Sequence, residues 1–575
     1  MSEPRSISQF LGTVLLWSLL LPAPGCATDE RSTIAQPGAT PWTGYNQQEL
    51  SGTVQARPQE PPESAEEPQP GPLRITVEDA VLTALENNRS LVVERLNPEI
   101  QRTENNRSLV VERLNPEIRR TFEDEERAEF DPTVEAEVSV GRADSERLTR
   151  SVSAAESSRS DEYRGSVFLR EFFPTGTFVE AGVTSDTTDS SLYLDPFTQT
   201  RLGLSVTQSL LRGYGTDVNL ARLRQSRLET DISQYELRGF SESLLAQVED
   251  AYWDYALSLR QIEIVDESLK LARQQLHETE EMIQVGSMAK AELAAVQAEV
   301  AVQQQELINA KSAQESSRLR LLRLLNPPGE NLWKREVTLV HPPALPEITL
   351  GDVETHVAVA FRMRPEINQA ELGIRREDLE IVRTRNGLLP RMDLFITLGK
   401  SGYADSFPRS VSEMDGGSYD ALLGINLGYP IFNRSAGAQH TRALLQRDQA
   451  EKALQNLRQL VELDVRDAYI EVNRTKEQIS AGTATRKFQE EKLRVETEKF
   501  RVGRSTNFFV AQAQRDLLVS RINEVQSVVN YLKALVSFYR LEGSLLVRRG
   551  IAAPGAEPVE RSSGSLTRPM RRNSP

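Results

Sequence analysis

Shifted against itself by 217 residues, the chain aligns Val248-Glu-Asp-Ala-Tyr252 with Val465-Arg-Asp-Ala-Tyr469, Val285-Gly286 with Val502-Gly503, and Gln297 with Gln514, without a gap between these landmarks. Solenoid units run to about 20–50 residues, so a repeat this long describes two homologous halves with internal pseudo-symmetry. Each half reads as helix, strands, long helix, turn, helix. The first opens near Ile75 and the second near Ile348. Proline punctuates both helix-to-strand changes, at Phe130-Asp131-Pro132 and at Leu389-Pro390.

After Pro132, Val134, Ala136, Val138 and Val140 alternate with polar residues; after Pro390, Met392, Leu394, Ile396 and Leu398 hold one parity. These are period-two strands. Return strands fall at Leu202, Leu204 and Val206 and at Leu423, Ile425, Leu427 and Tyr429. Tyr163–Phe173 and Thr177–Thr184, joined by Pro174-Thr175-Gly176, form an additional hairpin candidate whose place is open. Long helices then follow, from about Asp217 to Gln284 and from about Gly437 to Arg501. Each is roughly 100 Å long at about 1.5 Å per residue. Tyr255, Ile262, Leu269, Leu276 and Ile283 recur every seventh residue. So do Leu293, Val300, Leu307 and Leu321, interrupted by Gln314, and Leu518, Val525, Leu532 and Tyr539. Such stripes pack as antiparallel coiled coils, one hairpin per half. With 39% hydrophobic residues the chain suits helices that bury one stripe, or a barrel apolar only outside, better than thick globular cores.

Phe10 to Leu21 is the one sustained apolar run and leads into Pro22-Ala-Pro-Gly-Cys26, so residues 1–25 read as a signal peptide. Cys26, the single cysteine, resembles the acylation site of a bacterial lipoprotein. Residues 26–74, rich in proline and polar residues, read as a disordered tether, and 548–575 as a disordered tail. Between them lie the first repeat, 75–346, and the second, 347–547. Glu86–Ile100 recurs unchanged at Glu104–Ile118, a displacement of 18 residues, or five helical turns, although Pro98 and Pro116 are expected to break or kink the helix.

Two strands per half give about four per chain. Four strands cannot close a barrel, and an open edge cannot face lipid, so closure demands several chains. Three would supply a barrel of about twelve strands above a hollow cylinder of helical hairpins. The fold class is therefore mainly α with a transmembrane β-barrel.

These residues resemble the TolC-like outer membrane factors, over nearly all of 75–545. The likeness rests on Leu204-Ser-Val-Thr-Gln-Ser-Leu-Leu211, Leu423-Gly-Ile-Asn-Leu-Gly-Tyr-Pro-Ile-Phe432, Leu389-Pro-Arg-Met-Asp-Leu394, and the turns Ile283-Gln-Val-Gly-Ser287 and Phe500-Arg-Val-Gly-Arg504. The resemblance implies a homotrimer in outer-membrane lipid, a twelve-stranded barrel and a periplasmic helical tunnel that meets an adaptor (membrane fusion) protein and an inner-membrane transporter. It implies a channel rather than an enzyme, without a cofactor. It also places adaptor docking at Val285, Gly286, Ser287, Val502, Gly503 and Arg504. Of the family's acidic tip residues it keeps Glu292, whereas Phe509 and Gln512 stand where the second half would have acids. Ser505 takes the place of a gating arginine beside Arg504, and Phe500 that of a tyrosine. The expectation is an apolar constriction of Phe509 copies that closes by dewetting, with Glu292 and Arg504 paired between hairpins. The bland alternative packs Phe509 inside its hairpin.

Other chemistry finds little purchase. His277, His341, His356 and His440 are far apart and read as surface residues, and Gly213-Tyr-Gly215 lacks the third glycine of a dinucleotide loop. A formal charge of −15 argues against nucleic acid. The competing class is a lipid-anchored periplasmic coiled-coil adaptor or scaffold. Strand-face polarity separates the two, and residues 391–397 look mixed, because Phe395 shares its parity with Arg391, Asp393 and Thr397.

Overall fold

The computed structural model describes residues 73–86, 107–148, 155–190, 195–327, 332–340, 342–346 and 348–559. Cys26, the proposed leader, the proposed tether up to residue 72, His341 and most of the first copy of the 18-residue repeat lie outside them, while Leu73 and Arg74, read as the end of the tether, are ordered by pairing with β6. The elements follow in chain order: β1 Leu73–Ile75, α1 Val77–Glu86, α2 Arg107–Ala128, β2 Thr133–Leu148, β3 Ala155–Phe173, β4 Thr177–Ser190, β5 Phe197–Ser209, α3 Ala221–Gln284 and α4 Glu292–Leu325. Then come β6 Val337–Leu339, α5 Val353–Met363, α6 Pro365–Gly387, β7 Arg391–Ala404, β8 Tyr419–Gly428, α7 Arg434–Arg501 and α8 Asn507–Glu542.

The duplicated plan is present, with prolines immediately before β2 and β7. At the start of α6, Arg364 is held extended (φ −66°, ψ 124°) ahead of Pro365, which occupies the first helical turn, where a missing N–H costs nothing. Pro116, expected to interrupt its helix, lies inside α2.

Helices α3 and α7 have 64 and 68 residues, and each folds back on its partner, α4 or α8. The heptad stripes lie inward: Tyr255, Leu269, Leu321, Leu518, Leu532 and Tyr539 are buried. The polar interruption at Gln314 has a physical reason, since its Nε2 donates to the Tyr255 hydroxyl at 3.3 Å across the first hairpin. That hydroxyl donates in turn to the Val337 carbonyl at 2.9 Å. The main core gathers Tyr252, Leu245, Leu322, Ile367, Tyr531 and Phe538 where both long hairpins meet α5 and α6. There α3 and α8, from different halves, lie against each other.

Two expectations are corrected here. His356 is buried rather than on the surface, because the end of α8 covers it: its Nδ1 lies 2.7 Å from Glu542 Oε1 and its ring meets Phe538 edge-on. The C-terminal segment is also held further along than position 548. Tyr235 donates to the Glu557 carbonyl, Arg238 to the Gly555 carbonyl at 3.0 Å, and Val559 N–H to Asn368 Oδ1 at 2.8 Å. Backbone carbonyls, which a composition-based reading does not see, supply most of that anchorage.

The six-stranded sheet is the larger departure. Six strands, not four, form one antiparallel sheet in the order β2-β3-β4-β5-β7-β8. The unplaced hairpin is β3–β4, inserted between β2 and β5. It was only partly legible because its far end, near Arg159, Asp161 and Glu162, carries polar residues on both parities.

Candidate functional site: the sheet faces and the hairpin tips

Register makes the sheet two-faced. One row of paired residues crosses all six strands as Val134, Leu169, Ala181, Leu204, Leu398 and Ala421. Two residues along, Ala136, Val167, Val183 and Leu202 share the face and Lys400 and Tyr419 complete that row; two residues the other way Val179, Val206, Ile396 and Leu423 share it with Glu171. These side chains are widely exposed, with Val134 at 70%, Leu204 at 40% and Leu423 at 68%. Such a surface is unstable in water and suited to lipid.

The opposite face is polar. Its adjoining row reads Thr133, Arg170, Glu180, Ser205, Thr397 and Leu422. Ion pairs run across the strands: Arg170 to both Glu180 (2.6 Å) and Glu135, Arg164 to Asp186 (2.5 Å), and Arg201 to Asp420 (2.5 Å). Arg201 spans from β5 over Gly399 of β7 to reach β8, a path a side chain at Gly399 would block. Phe395 does share this face with Arg391, Asp393 and Thr397. Its ring folds over Gly424 of β8, on the polar face. None of these arginines was singled out from sequence; their alternation with the valines was the available signal.

At the far end of the hairpins both turns close in one way. Gly286 N–H donates to the Ile283 carbonyl at 3.1 Å and Ser287 N–H to the Met282 carbonyl at 2.9 Å. Gly503 and Arg504 repeat this with the Phe500 and Lys499 carbonyls at 2.9 and 2.7 Å. These are Schellman caps, and Gly286 (φ +76°) and Gly503 (φ +74°) occupy the left-handed position that glycine takes without strain. Val285 and Val502 project outward, 78% and 68% exposed.

The candidate gate is only partly as expected. Glu292 does not pair with Arg504: its Oε2 lies 3.4 Å from Asn507 Nδ2. Arg504 sits on the exposed turn, beyond the helix end from which Glu292 is reached. Phe509 is 52% exposed, against the reading that buries it in its hairpin, and meets Phe508 edge-on at 5.6 Å. Phe500 is buried and Gln512 exposed.

The bonds that tie the two hairpins together were missed. Gln275 Nε2 donates to Asn507 Oδ1 at 3.1 Å, and Arg515 of α8 pairs at 2.5 Å with Glu299 of α4, which is almost wholly buried. Glu299 stands one heptad after Glu292, which was the signal that could have found it.

The chain belongs to the outer membrane efflux protein family, whose model matches residues 101–327 and 359–544. It is a TolC-like efflux channel of the outer membrane. It is similar to the pyoverdine export outer membrane protein OpmQ of Pseudomonas putida, 24% identical over 362 residues that cover 61% of this chain and 73% of that protein. Among solved structures it resembles the CmeC outer membrane channel of Campylobacter jejuni, with TM-score 0.59, 15% identity, and 84% and 90% of the two chains covered. A membrane protein from Pseudomonas aeruginosa gives TM-score 0.58 and 19% identity, with 81% and 93% covered. These likenesses give the fold, a β-barrel joined to a tunnel of helical hairpins.

Proposed function

We propose that this chain is the passive exit duct of a tripartite efflux pump or type I secretion system. It works as a homotrimer that receives cargo from an inner-membrane transporter through a periplasmic adaptor. One observation carries the reading: a six-stranded sheet with one lipid-suited face, one polar face and two unpaired edges, β2 and β8. Edges of that kind are satisfied in a bilayer only by further copies. Ile431 and Phe432, 86% and 77% exposed beside β8, suit burial against such a copy. The adaptor docks at Val285-Gly286-Ser287 and Val502-Gly503-Arg504, where the caps leave exposed backbone and valine. An acyl chain on Cys26 adds a second membrane anchor. The two repeats divide near residue 346. No step in this role calls for a reaction, and the pump selects the cargo.

The gate is the ring of Phe509 copies, held shut by the bonds of Asn507 and Arg515 to the first hairpin. In planar bilayers, Phe509→Ala and Arg515→Ala are each expected to raise the closed-state conductance severalfold. The Arg515 change acts by stranding the buried Glu299 carboxylate. An unchanged leak in Phe509→Ala would defeat the apolar constriction.

A further inference from the structure

The hairpin Ala155–Ser190 need not have joined the wall; as an outer flap it would have left β2 to pair with β5. Instead β3 pairs with β2 along its whole length, Thr133 to Leu148, and β4 pairs with β5 from Thr177 to Thr188. Its two strands carry the same parity as their neighbours. Val167, Leu169, Val179, Ala181 and Val183 continue the apolar band, while Arg164, Arg170, Glu180 and Asp186 continue the polar face and its ion pairs.

Its turn is also built into the helical end of the sheet. Asn219 Nδ2 donates to the carbonyls of Pro174 (3.0 Å) and Gly213 (2.8 Å). Gly215 N–H reaches the Thr175 carbonyl at 3.2 Å, and Ser209 N–H the Gly176 carbonyl at 3.0 Å. Gly176 has φ +86°, and a Cβ there would collide with the Gly213 carbonyl. Gly213-Tyr-Gly215 is thus the seat of the inserted turn.

We infer that β3–β4 is a membrane-spanning part of the barrel wall, so that three chains of six strands close an eighteen-stranded barrel with a water-filled lumen wider than that of twelve strands. The inference rests on the trimeric duct proposed above. Barrel diameter grows about linearly with strand number, and barrels of about 16–18 strands leave an aqueous channel. Relative to twelve strands the circumference rises about 1.5-fold. The added strands bring to that channel the pairs Arg164–Asp186 and Arg170–Glu180 and, on the same parity, Phe168, Phe172 and Phe178.

The test is nitroxide scanning of the full chain in lipid vesicles, in a Cys26→Ser background. Labels are placed singly through Val167→Cys and Val183→Cys on the apolar parity and Ser166→Cys and Thr184→Cys on the polar one. Leu204→Cys and Ser205→Cys on β5 serve as references. The wall assignment predicts that 167, 183 and 204 collide freely with oxygen and lose collision with a water-soluble nickel chelate, with the order reversed at 166, 184 and 205. If 167 and 183 meet the chelate as readily as 166 and 184 while 204 remains protected, the hairpin lies outside the bilayer and the inference fails with the duct intact. If 204 also meets the chelate, the membrane reading of the whole sheet falls, and this inference with it. Polyethylene glycols added from the barrel side give the width independently of the tip gate. Exclusion beginning at the same polymer size in the full chain and in a variant lacking 152–193 would overturn the wider lumen.

Discussion

Leu204→Lys is expected to destabilise the barrel by about 2–4 kcal/mol, the cost of a lysine on the lipid face near the bilayer midplane. Leu204 lies in the row that runs from Val134 to Ala421, with apolar neighbours Ala181 and Leu398 on either side. The matched control is Ser205→Lys, one residue on and facing the polar side with Glu180 and Thr397 as row neighbours. There the ammonium stays in water and the change should cost little. Urea unfolding of the two variants in lipid vesicles reads the difference. Equal costs, or a larger one for Ser205→Lys, would show that the apolar face is not the lipid face.

The second large effect is expected in the helical part. Arg238 is 1% exposed and donates to the carbonyls of Gly555 at 3.0 Å and Gly543 at 3.3 Å, and its Nε lies 3.5 Å from Glu242 Oε1. It therefore fastens the C-terminal segment and neutralises a carboxylate that is 2% exposed. Removing one partner of a buried ion pair costs about 3–5 kcal/mol, because the other charge is left uncompensated. Arg238→Met should approach a loss of that order in thermal or urea unfolding only well above pH 7, where Glu242 carries its charge; at lower pH the carboxyl takes a proton and the loss is smaller. Arg238→Met with Glu242→Leu should recover most of it. If the double variant is no more stable than the single one, the cost comes from the lost carbonyl bonds and not from the stranded charge.

The same carboxylate sets a pH dependence. Burial pushes the Glu242 carboxyl from its ordinary 4.5 up to about 7, against the opposing pull of Arg238. Asp250, also through burial, rises to about 6. In both cases the folded state binds the proton more tightly than the unfolded chain. Their contribution to stability is thus fully present below the ordinary carboxylate range and lost as pH rises through about 6 to 7. The unfolding midpoint of the helical part should fall between pH 5 and pH 8, and Glu242→Gln should flatten that slope.

Much of the architecture was legible because it rests on periodicity. The 217-residue offset, the prolines before β2 and β7, and the seven-residue stripes of α3, α4 and α8 all survive in place. What escaped reading has local physical reasons. The outer end of β3 around Asp161 and Glu162 is polar on both parities, so period-two alternation carried no signal there. The strands β1 and β6, three residues each and paired in parallel, are too short for any period. His356 lies on an amphipathic helix whose cover, the end of α8, is more than 180 residues away in sequence. At the tips the caps were legible from Val-Gly. The tie between hairpins was not, since Arg515 and Glu299 are separated by 216 residues and each alone reads as one more charge on a helix.

The central claim, that copies of this chain close a barrel in the outer membrane, is tested most directly by the native mass of the protein extracted in detergent from isolated outer membranes. The account predicts a species of about three chains, each 64.5 kDa less any cleaved leader, after correction for bound detergent. It should resist a salt wash of the membranes. A monomer or dimer released by that wash would contradict the barrel and leave a tethered periplasmic scaffold in its place.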